Sequence, residues 1–570
     1  MLPRIHEHLI ALYGERGGGA CWARLARRLQ VFRDSCPPPP VTRPLSQRDA
    51  LLITYADQIR EPGVPPLRTL AEFAEAHLHD VVSGIHLLPF YPWSSDDGFS
   101  VKDYSAVAPE YGSWEDIERL GQKFDLMFDA VLNHMSAQSE WFHKFLASDP
   151  AFRDFFVTVE GQPDLSQVVR PRALPLLAEF PPAAGPRRVW TTFSADQVDL
   201  NFKNPDVLLA ATEALLFYAS QGARFIRLDA IAYLWKEIGT LCIHLPQTHR
   251  VIQLWRAVLD EVAPHVQLIT ETNVPHADNL SYFGDGTNEA QLVYNFALPP
   301  LVLHTLATGN AEKLTRWAQS LALPSHRVTF FNFLASHDGI GLNPARGILS
   351  DAEIDALVQR TLVHGGFISY KSNPDGAAIP YEMNINYLDA LSDPATREPV
   401  ELAARKFLTA QAIMLCLQGA PGIYFHSLFG SRGDRASGAA SGINRRINRA
   451  KLDRSRLDAE LADPSSLRAR VFQGYRELLR VRHEHAAFAP AAPQRVLDLD
   501  PRVFAVVRES ADGADRVLCL HNVSAEEVQC PLAQFGTAAS RVLLTGECPS
   551  PAAGPAMQLL PHATVWLGLK

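Results

Sequence analysis

No apolar run in the chain approaches the ~20 uninterrupted residues of a membrane span, which excludes a helical membrane protein. The first residues, Met1-Leu-Pro-Arg-Ile-His-Glu7, lack the apolar segment of a secretory signal. Cysteine is scarce: seven in 570 residues, an odd number with no CxxC spacing. That argues against a disulfide framework and a zinc site, and makes a cytoplasmic location the expectation. Basic charge is not in excess either. Lys and Arg number 53 against 62 Asp and Glu, a net charge of −9, so neither nucleic acid nor an anionic membrane is an expected partner. A phosphate-sized substrate stays open, because local arginines hold small anions whatever the net charge. No internal repeat is present.

What is there suits a large soluble core: 47% hydrophobic and 20% charged residues. Residues 1–48 read as an N-terminal helical extension. Its pattern, Ala20 to Phe32, stops at Cys36-Pro-Pro-Pro-Pro40, a stiff proline-rich linker. Between residues 49 and 484, short apolar runs alternate with helical segments. The runs begin at Leu51, Gly84, Leu126, Ala223, Val266, Gln291, Val328 and Gly422, and are apolar on both faces, as buried parallel strands are. Eight of them, separated by helices such as Pro205–Ser220 and His249–Val262, predict an α/β fold of the (β/α)8 TIM-barrel class. Two connections, about 135–205 and about 340–395, are too long for the repeat. They are expected as insertions over the catalytic face, the second of them irregular. Residues 485–570, with alternating runs at Val503–Val507, Arg516–Leu520 and Ala563–Leu567, predict a C-terminal antiparallel β domain.

In such a barrel, acidic residues at the C-terminal ends of strands are the catalytic candidates. Four ends stand out: Asp129-Ala-Val-Leu-Asn-His134, Arg227-Leu-Asp229, Thr270-Glu-Thr-Asn273 and Ser336-His-Asp338. Each alone is equally well a loop cap or an ion pair; their ordered occurrence at four strand ends is a stronger signal. Together they resemble the four signature regions of glycoside hydrolase family 13, the α-amylase superfamily. The resemblance implies Asp229 as nucleophile, Glu271 as general acid/base and Asp338 as transition-state stabiliser. The chemistry agrees. A retaining glycosyl transfer needs two carboxyls about 5–5.5 Å apart, and adjacent strand ends can supply them. Arg227, two residues before Asp229, points the same way and can hold it ionised. Glu271 must first be protonated, which calls for a raised pKa in a water-poor pocket. Asp338 would bind hydroxyls of the distorted sugar, and His134 and His337 read as sugar contacts.

Further segments narrow the resemblance to the sucrose phosphorylase subfamily. They include Asp96-Asp-Gly-Phe99, Tyr111-Gly-Ser-Trp114, Arg170-Pro-Arg172 and Phe296-Ala-Leu-Pro-Pro300. This implies that Asp96 and Arg449 clamp the 4-hydroxyl end of glucose and that Phe99 and Phe193 border the sugar, core packing being an equal reading of Phe193. Arg445-Arg-Ile-Asn-Arg449 fits the subfamily's pattern, although a shift would nominate Arg446 or Arg445. Arg172 is the candidate for phosphate or acceptor, arginine being suited to bidentate oxyanion contacts. Glu271-Thr-Asn273 departs from the subfamily's Glu-Val-His. That segment, Pro89 to Ser100, Asn332 to Pro344 and the extension look like glucosylglycerate phosphorylases, which convert 2-O-α-D-glucosyl-D-glycerate and phosphate into α-D-glucose 1-phosphate and D-glycerate. Asn273, Arg170 and Arg172 are then candidates for the acceptor carboxylate. The expected partners are a small glucoside, phosphate and D-glycerate, with a homodimer as in related enzymes. No cofactor is expected, since the nucleophile is a side chain, and no metal: the Asn133 position binds calcium in many amylases, but this subfamily does not depend on it. Alternatives are phosphorolysis of sucrose, sucrose 6-phosphate or glucosylglycerol, an α-glucoside hydrolase, and a non-catalytic barrel.

Overall fold

The computed structural model describes residues 2–38, 43–181, 186–372, 378–396, 398–532, 541–545 and 556–569. Pro39 and Pro40 of the proline run, and Cys548, lie outside the described residues. The other six cysteines are free thiols.

Eight parallel strands close into a barrel: β1 (Leu51–Thr54), β2 (Gly84–Leu87), β3 (Asp125–Ala130), β4 (Ala223–Leu228), β5 (Gln267–Thr270), β6 (Leu292–Tyr294), β7 (Thr329–Asn332) and β8 (Ala420–Tyr424). Each pairs with its sequence neighbours, and β8 returns to β1. All eight runs read from the sequence are barrel strands, in the expected order. Their residues are buried almost throughout, so both faces carry aliphatic and aromatic side chains. Packing inside the barrel is close. A Cβ on Gly422 of β8 would stand 2.4 Å from the Phe331 ring of β7, so the glycine is what admits that ring.

The helices form the outer layer. α2 (Pro205–Ser220) starts with proline in its first turn and is capped by Asn204, whose side chain accepts from the Asp206 N–H at 2.9 Å. α3 (Pro246–Val262) follows β4. Both are covered by the N-terminal segment α1 (Leu2–Ser35), which is helical well before Ala20. α1 is not one straight rod. Gly14 has φ 72° and ψ 170°, outside the helical region, and breaks it. The rings of His6 and Trp22 lie 5.8 Å apart, whereas sixteen residues of straight helix span about 24 Å. The segment is therefore a helical hairpin. It docks by apolar burial of Ile5, Leu9, Leu25 and Leu29 and by ion pairs from Arg24, Arg28 and Arg33 to Asp206, Glu213 and Glu261.

After β3 the chain forms two small antiparallel ladders, His134–Ser136 with Gln197–Asp199 and Leu177–Phe180 with Arg187–Trp190. The described part of the segment after β7, expected to be irregular, contains regular elements. It holds the helix Asp351–Val363 and an antiparallel sheet of Ile340–Gly341, Ala378–Asn384 and Phe367–Ser372. The strand Ala378–Asn384 is buried continuously from Tyr381 to Asn384, so no apolar–polar alternation marks it. Beyond residue 485, β9 (Gln494–Asp500), β10 (Val503–Glu509), β11 (Arg516–Asn522), β12 (Arg541–Leu544) and β13 (Thr564–Leu569) form one antiparallel sheet in the order β9-β10-β11-β13-β12.

Candidate active site

Strand register brings the central acids together. Leu228 of β4 lies beside Thr270 of β5, so Asp229 and Glu271 leave adjacent strands at one height. The ladder runs on past the strands: the Asp229 N–H donates to Ala130 O and the Glu271 N–H to Leu228 O, each at 3.2 Å. Ala230 then turns into the left-handed region at φ 48°, and its N–H donates to Glu271 Oε2 at 3.1 Å. Beneath the pair, Arg227 is almost wholly buried. Its guanidinium contacts Asp129, donates to Asp229 Oδ1 at 2.8 Å and stands 3.8 Å from Glu271. His86 binds the other Asp129 oxygen at 2.7 Å.

Burial raises both Asp229 and Glu271 above the ordinary carboxylate range; Arg227 opposes this, while the charge of Glu271 raises Asp229 further. They titrate as a pair. Arg227 touches Asp229 directly and Glu271 only at a distance, so the negative charge settles on Asp229 and the proton on Glu271. Asp338 behaves oppositely: burial would raise it, but Arg445, Arg449 and Arg227 hold it below the usual range.

A cleft opens at this end of the barrel. Asp229, Glu271, Asp338, Asp96, Phe99, His134, Phe193, His337, Arg172 and Asn273 all line it. His337 stacks on Phe99 with centroids 4.6 Å apart and planes 6° from parallel. Burial keeps His134 and His337 neutral by lowering their pKa values. His134 Nε2 donates to Phe99 O at 2.9 Å, which fixes its tautomer and aims the ring. Phe193 is half-buried and faces the cleft, so core packing alone does not account for it.

Three of the expected residues, Arg227, Arg449 and Arg170, do not line the cleft. Arg227 sits below the floor rather than on it. Arg449 is sealed behind the wall: it pairs with Asp97 at 2.8 Å, stands 3.5 Å from Asp96 and donates from Nε to His337 O at 3.0 Å. The arginine that reaches the cleft is Arg445, in contact with Asp338 at 2.6 Å. The five-residue turn Asn444–Asn448 is a 3-10 helix, and its tight winding presents Arg445 while turning Arg449 inward. Arg170 is also absent from the lining and points toward Leu174 O at 3.4 Å. Sequence reasoning missed Asp97, Gln197, Tyr233 and Tyr381. Asp97 follows Asp96 in a rare left-handed pair, at φ 49° and 53°. Gln197 reaches the cleft only because its short strand pairs with the one starting at His134, a pairing with no local signature.

The position where many amylases hold calcium carries a protein cation. Lys236 Nζ lies 2.6 Å from Asp199 and donates to Asn133 Oδ1 at 2.7 Å, all three buried. Among the described residues, no group of three or more His, Cys, Asp or Glu side chains is placed to hold a metal.

A closed parallel barrel with this acidic cleft at its C-terminal rim is an α-amylase-type fold, and the α-amylase catalytic-domain family matches residues 78–339. Glucosylglycerate phosphorylase from Spirochaeta thermophila is 52% identical over 95% of this chain and 93% of its own. The one from Allomeiothermus silvanus is 53% identical over 91% and 92%. A sucrose phosphorylase from Agrobacterium vitis is 32% identical over 77% of this chain and 88% of its own. Sucrose 6F-phosphate phosphorylase from Thermoanaerobacter thermosaccharolyticum superposes with a TM-score of 0.73 at 24% identity, covering 85% of this chain and 96% of its own, a likeness of fold. The chain belongs to the glucosylglycerate phosphorylase family within the α-amylase superfamily, with sucrose phosphorylases as more distant relatives.

Proposed function

We propose that this protein is a retaining glucosyl phosphorylase acting on 2-O-α-D-glucosyl-D-glycerate. The observation that carries the reading is the near-full-length match at 52% identity to a glucosylglycerate phosphorylase. Three acids lining one cleft, Asp229, Glu271 and Asp338, supply the chemistry.

Asp229 attacks C1 of the glucosyl unit as the C1–O bond to glycerate breaks, and Glu271 gives its proton to the departing oxygen. The β-glucosyl ester on Asp229 is then attacked by a phosphate oxygen. The ester bond breaks, α-D-glucose 1-phosphate forms, and Glu271 regains a proton from phosphate. Asp338 binds hydroxyls of the flattened ring, where it helps the transition state more than the ground state. Asp96 and His134 sit where sugar hydroxyls would be held, and Phe99 and Phe193 form apolar borders. Arg172 and Asn273 bind the glycerate carboxylate or, in the second half-reaction, phosphate. Asn273 Oδ1 is buried without a protein partner, which fits a site completed by a ligand. Six free cysteines support a cytoplasmic setting.

The test is a screen from α-D-glucose 1-phosphate with D-glycerate, fructose, fructose 6-phosphate or glycerol, following phosphate release. D-glycerate is expected to give the highest kcat/KM by at least about 10²-fold, because a site that pairs a carboxylate discriminates strongly against acceptors lacking one. A faster reaction with fructose or glycerol overturns the acceptor, and steady-state phosphate release beyond one equivalent per site without any acceptor overturns phosphorolysis.

A further inference from the structure

Arg445 is the one cleft arginine that touches an acid of the proposed set, and something must hold it there. Its Nη1 contacts Asp338 at 2.6 Å, while Nε and Nη2 form a fork on Glu382, at 3.0 Å to Oε1 and 2.6 Å to Oε2. Glu382 Oε1 also accepts the Gly339 N–H at 2.8 Å. Glu382 is 1% exposed and is not among the residues lining the cleft. One buried carboxylate therefore grips both the backbone next to Asp338 and the nearer of the two arginines at its side chain, Arg449 standing 3.5 Å away.

The local sequence is shaped to this contact. Glu382 lies in Ala378–Asn384, the central strand of the inserted sheet, with Gly341 as its partner across the ladder. A Cβ on Gly339 would stand 2.7 Å from Glu382 Cγ and Oε1 and 2.6 Å from Met383 O, so only glycine lets the strand come this close. A Cβ on Gly341 would meet the Asn273 carboxamide at 2.6 Å. The two glycines of Asp338-Gly-Ile-Gly341 thus hold open the approach of Glu382 on one side and of Asn273 on the other.

We infer that Glu382 is a positioning residue for glucosyl transfer, acting through Arg445. A guanidinium freed from its fork has no reason to keep one nitrogen on Asp338, and it brings an unbalanced positive charge beside the acids. Fixing it leaves Asp338 ionised yet oriented, with one oxygen directed at the sugar. The inference rests on the role proposed above for Asp338.

A cycle of E382Q, R445A and E382Q/R445A tests it, with D338N alongside. Active sites are counted from the burst of phosphate on mixing with α-D-glucose 1-phosphate, so misfolded protein does not enter kcat. E382Q is expected to lower kcat about 10²-fold, the loss typical of one preorganised electrostatic contact, with KM for glucose 1-phosphate within about threefold of wild type. The double variant is expected within about threefold of R445A, because removing Glu382 does nothing further once its target is gone. Losses that multiply in the double variant, or an E382Q kcat within twofold of wild type, overturn the inference. D338N with near wild-type kcat overturns instead the reading of Asp338 on which it stands.

Discussion

The acids and the cations of the cleft reach it by different routes. Asp229 and Glu271 leave neighbouring barrel strands in register, and their backbone N–H groups extend the strand ladders by one residue. Arg172 and Arg445 come from connections far from them in sequence, one after β3 and one after β8. The acids inherit their geometry from a closed barrel, which many proteins of different activity share. The cations depend on loop contacts, as Arg445 does on its fork with Glu382. On the proposed roles, the strand-borne acids serve every acceptor, Arg445 joins them through Asp338, and Arg172 serves the choice of what attacks a glucosyl-enzyme.

If that division holds, strand-borne and loop-borne groups respond differently to substitution. The largest effect is expected from D229A, about 10⁴-fold or more in kcat with every acceptor, measured by initial rates. The buried floor comes next. K236M leaves the carboxylate of Asp199 unpaired in the interior, so it should cost about 3–5 kcal/mol of stability in denaturant titration; a loss below 1 kcal/mol would show that the ion pair is replaceable. R172A should raise KM for D-glycerate and for phosphate about 10²-fold each, with kcat at saturation within about tenfold of wild type. A loss of kcat approaching that of D229A would place Arg172 with the acids and blur the comparison. The smallest effect is expected from Y13F. Tyr13 of the N-terminal hairpin donates to Phe202 O at 2.9 Å, and its ring lies 6.5 Å from that of Trp235, beside Lys236. Removing one part-buried hydrogen bond should cost about 1 kcal/mol.

Proton placement adds a pH signature to the strand-borne pair. Glu271 must carry a proton for the leaving group to depart, and burial raises its pKa. Glucosylation by 2-O-α-D-glucosyl-D-glycerate should therefore be full on the acid side of that raised value and fall as pH climbs through it. An E271Q variant should lose this alkaline limb along with most of its rate.

The same two routes explain what could be read from sequence. The eight strands announced themselves as apolar runs, and the acids followed them within a few residues: Asp229 and Glu271 come directly after β4 and β5. Asp338 lies six residues past the end of β7, where the loop still carries it to the rim. No periodicity marks a residue such as Glu382, which acts from a short strand in an insertion and matters only because Gly339 lets it approach. Arg449 shows the limit from the other side. Its motif was recognisable, but one turn of 3-10 helix decides which arginine of the cluster lines the cleft. The doubling back of α1 was hidden because Gly14 sits inside an otherwise helical pattern.

The most direct test of the account is to quench E271Q after exposure to α-D-glucose 1-phosphate and map the adduct by peptide mass spectrometry. Phosphate leaves without much help from an acid, whereas the following step lacks its base, so the intermediate should accumulate. The account predicts one hexosyl unit on the peptide containing Asp229, persisting with D-glycerate, whose hydroxyl needs the missing base, and released by excess phosphate, which attacks as an anion. A hexosyl unit on any other residue, or turnover with no adduct and an inverted anomeric product, would contradict it.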